Sequence, residues 1–134
     1  MKGERMTKDR FEQTLGALNP VHHVVMAFDS DQGAADARSA LLEAGLGDAD
    51  ILVFSSKELE PRLAEMLRAT SGTAGFGYEV TLMRRYLALA QENVGWLVVY
   101  APSDETAEKV GEVAKRFKAK SAVRYHSLAS EELV

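Results

Sequence analysis

The side chains best suited to proton transfer are three histidines and four tyrosines, and cysteine is absent. His22 and His23 are adjacent, at the opening of a strand-like run, and His126 lies near the end of the chain. Neighbouring side chains on a strand point to opposite faces, so His22 and His23 do not chelate one ion together. A meeting with His126 requires their two strands to be neighbours. No acidic residue is spaced to complete a metal set, and surface or strand-end histidines are the simpler reading. As an acid–base set, these histidines would act as bases, with Tyr78 or Tyr125 as proton donor. Asp29 and Asp31 follow the first strand, at the end where open α/β sheets often place their sites. Asp31 is more simply a residue of a helix start. No nucleophile–base pair or carboxylate dyad is evident. The reading therefore leans away from an enzyme, with no catalytic residue, metal or cofactor expected.

A second chemistry is anion binding. The segment TSGTAGFG contributes Thr70, Ser71, Gly72, Gly75 and Gly77, and it leads into a helix beginning at Tyr78. Backbone N–H groups at such a junction can cradle a phosphate, helped by the helix dipole. Arg84 or Arg85, a turn or two later, would add positive charge. Neither GKS, GKT nor GxGxxG is present, and the segment follows a helix rather than a strand. A glycine-capped connection is the plainer account. A small anionic ligand on this loop is the candidate site, and a nucleotide- or phosphate-sensing module is the alternative function.

The elements that would carry these groups follow from periodicity. GWLVVYAPSDETAEKVGEVAKRF reads as a strand, a cap at Ser103, and an amphipathic helix through Ala107, Val110, Ala114 and Phe117. VVMAFDSDQGAADARSALL repeats the plan, with Ser30 as cap and Gly45 closing the helix. Each unit leads to another strand, residues 51–54 and 122–126, with Arg124 alternating outward. Between the units, a helix capped by Ser56 runs towards Thr70, and a second runs over residues 78–93 with Leu82, Met83, Tyr86, Leu87 and Leu89 apolar. Trp96 opens a buried-type strand and is expected in the core. The tail could start a final helical turn at Ser130.

A chain of 134 residues with 46% hydrophobic and 27% charged residues is expected to fold as one domain. Residues 21–134 form that domain, preceded by an N-terminal arm over residues 1–20 with a short helix. No run approaches the roughly 20 apolar residues of a membrane span, and no signal-peptide core is visible. A cytoplasmic location is the default. The net charge of −4 comes with mixed signs along the helices, so neither nucleic acid nor membrane is an expected partner.

Two βαβ units with an extra helical pair between them suit an α/β domain of ferredoxin-like type, with four interleaved strands and helices on one face. A doubly wound parallel sheet is the alternative. The open face of a ferredoxin-like sheet needs cover, for which self-association as a dimer is expected.

The succession ILVFSS, GFGYE, a helix, GWLVVYAPSDETAEKV and a final strand ending near Tyr125 resembles the bacterial general-stress, heat-induced stress domain, over roughly residues 21–133. The resemblance implies a small cytoplasmic, stress-associated domain and transfers no catalytic residues. The function expected is a non-enzymatic small-ligand-binding or regulatory module.

Overall fold

Six consecutive buried residues, His23–Phe28, make β1, the strand on which the sheet is centred. A computed structural model describes residues 22–55, 57–58, 60–61, 64, 78–125 and 130–134. The N-terminal arm and residues 65–77 lie outside them. The other strands are β2 (Ile51–Phe54), β3 (Gly95–Tyr100), β4 (Ser121–Tyr125) and β5 (Ser130–Glu132). The helices are α1 (Asp31–Glu43), α2 (Tyr78–Ala90) and α3 (Asp104–Arg116).

The strands lie in the order β2-β3-β1-β4-β5. β1 pairs with β3 and β4, β2 with β3, and β4 with β5, all antiparallel. It follows that β1 and β2 run the same way with β3 between them, and that β3 and β4 run the same way with β1 between them. The two strand–helix–strand units interleave. The doubly wound alternative does not hold, because its ladder requires hydrogen-bonded neighbours that run in the same direction. The chain is an α+β fold with a five-stranded sheet among the described residues. The fifth strand replaces the helical turn expected at Ser130. Glu131 and Glu132 sit opposite Arg124 and Val123 instead. Three residues cannot sustain a helix alone, whereas the edge of β4 offers them a ready ladder.

Local chemistry fixes the helix ends. Ser30 Oγ accepts from Gly33 N–H at 3.0 Å, and Ser103 Oγ accepts from Thr106 N–H at 3.1 Å. Gly45, just past α1, takes φ 107°, which an L side chain resists. Helical backbone also occurs at Lys57, Glu58, Glu60, Pro61 and Ala64. The cap expected at Ser56 lies outside the described residues. Ser55 Oγ accepts from Glu58 N–H at 3.2 Å, and Glu58 Oε1 accepts from Ser55 N–H at 2.8 Å, a reciprocal capping box.

Alternation along the strands builds two cores. Val24, Met26, Phe28, Leu97, Val99 and Ala122 meet the small residues of α1 and α3 on one face. Val25, Ala27, Trp96, Val98, Val123 and Tyr125 meet Tyr86 and Ala90 of α2 on the other. Helices thus cover both faces, not one. Tyr86 and Ala90 of α2 pack on the face for which a second subunit had been expected.

Gly95 is where α1 comes closest to the sheet. A Cβ there would lie 2.6 Å from Ser30 O and 2.9 Å from Asp31 Cα, both backbone atoms. Gly95→Ala is expected to cost about 1–3 kcal/mol, as overpacking does, and a shifted urea midpoint at unchanged slope would measure it.

Candidate functional site

The acid–base candidates are only partly brought together. His23 is 1% exposed, and its ring centroid lies 5.2 Å from that of Tyr100, its partner across β1 and β3. His22 sits just before β1 at φ 68°. Its N–H donates to Tyr125 O at 2.9 Å, and its carbonyl accepts from Ala101 N–H at 2.8 Å. On the α2 face, the Tyr86 and Tyr125 hydroxyls are 2.9 Å apart in a buried hydrogen bond. Tyr86 also stacks edge-on against Trp96, with centroids 5.4 Å apart.

His23 and Tyr125 therefore share one side of the sheet, but both are buried within the packing of that side. Asp29 follows the far end of β1. It stands six positions along the chain from His23, roughly 20 Å at strand rise, so the two cannot act on one substrate atom. Asp31 opens α1 at the same far end, as a helix-start residue. Tyr78 opens α2, and His126 lies outside the described residues. Among the described residues no three of His, Cys, Asp and Glu group as a metal set. No described helix is long and apolar enough to cross a membrane. The buried tyrosine pair and the His23–Tyr100 contact suit rigidity: satisfied polar groups in a core fix its packing.

Of the anion-loop candidates, Thr70, Ser71, Gly72, Gly75 and Gly77 lie outside the described residues. Arg84 is exposed on α2. Arg85 Nη1 lies 3.4 Å from Glu132 Oε2, tying α2 to the edge strand β5. Its charge is already answered by a carboxylate.

The most distinctive site lies on the opposite face, between α3 and the β4–β5 edge. It is a cavity of about 590 Å³ lined by Asp104, Glu108 and Glu112 of α3, by Lys115 near the end of that helix, and by Arg124 and Glu131 from the sheet. Ala107, Gly111 and Leu133 supply its apolar lining. Arg124 belongs to the same strand face as Ala122, so it lies beneath α3 and is 8% exposed. The expectation that it alternates outward is corrected: Arg124 shares the face of Ala122, which α3 covers, while Val123 and Tyr125 point to the α2 side.

Arg124 Nη1 donates to Asp104 Oδ1 at 2.9 Å, but that carboxylate side chain is 96% exposed. Arg124 Nε is buried and has no hydrogen-bond partner among the described residues. A guanidinium in this position is costly unless its donors are met. Glu131 faces Arg124 across the strands. Position 104 is set by the Ser103 cap, the residue just before α3.

Gly111 keeps the cavity open. It is buried in the middle of α3, where glycine costs a helix about 1 kcal/mol relative to alanine. A Cβ there would meet only Leu133 Cδ1, at 3.8 Å. Packing therefore does not require the glycine.

Neither Arg124 nor Gly111 was singled out from sequence as a site residue. The available signal was a lone arginine within SAVRY, between residues that both read as core. A smaller cavity of about 250 Å³, at the end of α1, is lined by Gly45, Leu46, Pro102 and Lys109 among others, and Lys109 is exposed.

No family model matches the chain, and neither a curated protein nor a solved structure matches it.

Proposed function

We propose that this chain is a non-enzymatic, ferredoxin-like module that binds a small ligand in the Arg124 cavity and serves a regulatory role, in keeping with the stress-associated family that its sequence resembles. The interleaved order of β2, β3, β1 and β4, with α1 and α3 on one face, supports the ferredoxin-like description. An arginine that is about nine-tenths buried, lines a solvent-reachable cavity and bonds the highly exposed Asp104 carries the functional reading. The cavity volume lies within the usual range for small-molecule sites, roughly 300–1,000 Å³. Against catalysis stands the burial of His23 and Tyr125, two of the acid–base candidates. Against the 70–78 loop as the anion site stands the engagement of Arg85 by Glu132.

Native mass spectrometry of the purified chain, beside a denatured control, tests this reading. A small additional mass is expected on the native chain, lost on denaturation and missing from Arg124→Met. An added mass that Arg124→Met retains would move the site elsewhere, and a bare chain that gains no mass from a concentrated cell extract would count against ligand binding.

A further inference from the structure

We propose that the ligand of the Arg124 cavity is a small dipolar molecule, an α-amino acid or close analogue, with its carboxylate towards Arg124 and its ammonium towards the acidic wall of α3. This rests on the reading of the cavity as a binding site and goes further by assigning the ligand's chemistry.

Two independent features point to opposite charges on one ligand. The first is Arg124 itself. It is about nine-tenths buried, it lines the cavity, and the carboxylate it bonds among the described residues, Asp104, is highly exposed. Guanidinium groups recognise planar carboxylates through paired N–H donors, and such charge-assisted bonds are strong where water is scarce.

The second feature is the helix wall. Asp104, Glu108 and Glu112 recur at every fourth residue of α3, and all three line the cavity. Like charges at this spacing destabilise a helix. With Glu131 opposite, four carboxylates face two cations, Arg124 and Lys115. The excess is negative, so a plain anion is repelled from the wall even as Arg124 attracts it. A plain cation is drawn to the wall but gives Arg124 no partner beyond the exposed Asp104. One molecule with both charges satisfies both. Gly111 and Leu133 leave apolar room for a modest side chain.

Isothermal titration calorimetry on the full chain tests the assignment. The probes are the individual L-amino acids, with acetate as carboxylate alone and putrescine as amine alone, each at millimolar concentration. Two variants accompany the native chain: Arg124→Met removes the carboxylate partner, and Gly111→Leu fills the space while keeping every charge.

At least one amino acid is expected to bind saturably, with both half-ligands far weaker. Arg124→Met is expected to weaken that binding roughly ten- to a hundredfold, the loss of a charge-assisted hydrogen bond, and Gly111→Leu to abolish it. Acetate or putrescine binding as well as any amino acid, with sensitivity to Gly111→Leu, would overturn the dipolar assignment and leave the cavity reading standing. Amino-acid binding indifferent to both variants would overturn the cavity reading. No heat from any probe would overturn the assignment, and the native mass measurement would then decide the cavity reading by itself.

Discussion

Arg124→Met is expected to melt at a higher temperature than the native chain and to bind its ligand less well. Arg124 occupies a core position: Ala122 precedes it on the same strand face, α3 lies above it, and Leu133 flanks the cavity. Methionine offers similar length and no charge. Replacing a buried ionic group by an apolar one of similar volume is often neutral or stabilising, by about 1–4 kcal/mol. The usual penalty for breaking a buried pair does not arise, because the carboxylates left behind, Asp104 and Glu131, are exposed and remain hydrated. A rise in melting temperature with loss of binding is the signature of a residue kept for function at the expense of stability. If Arg124 served stability alone, the same change would lower the melting temperature. Thermal unfolding followed by circular dichroism distinguishes the two.

Trp96→Ala is expected to destabilise the fold by about 3–5 kcal/mol, the usual cost of emptying a buried aromatic site. Trp96 is fully buried. It sits opposite Ala27 on β1 and Phe54 on β2, and it meets the edge of Tyr86 from α2. One side chain therefore joins three strands to the helix that covers them. Its loss is a large share of the roughly 5–15 kcal/mol that a domain has in total. Trp96→Phe should be much milder. It keeps most of the packing and removes a buried indole N–H that has no partner among the described residues, so a cost within about 1.5 kcal/mol is expected. Chemical denaturation of the two variants beside the native chain measures both. Comparable losses for alanine and phenylalanine would show that the indole N–H, rather than ring volume, matters at this position.

These two residues also mark how far the sequence could be read. Trp96 was legible as core because WLVVY is a short run of strand-forming apolar residues, and such a run has few places to go but inside. The caps at Ser30 and Ser103 were legible because a hydroxyl before an acidic first turn has a local cause. Three things depend on tertiary context. The apolar stripe of α2 is visible in LMRRYLALA, but the sheet face on which it docks is not. Ser130–Glu132 carries no strand signal, and it pairs because β4 presents an edge. Arg124 reads as solvent-facing beside the apolar Val123 and Tyr125, but its own face of β4 is the one that α3 covers. The cavity escaped for the same reason: its wall joins residues of α3 to residues of β4 and β5, and no spacing in the sequence brings them together. The acid–base candidates were the converse case. His23 and Tyr125 do share a side of the sheet, but burial gives them a structural part.

The most direct measurement is a two-dimensional ¹⁵N–¹H NMR titration of the full chain with the amino acid that binds most strongly. Shifts that saturate together at the amides of Gly111, Arg124 and Glu131, with His23, Tyr86 and Tyr125 unmoved, are the expected result. Shifts centred on His23, Tyr86 and Tyr125, with the cavity residues silent, would place the working site on the other face of the sheet and contradict the assignment of function to Arg124.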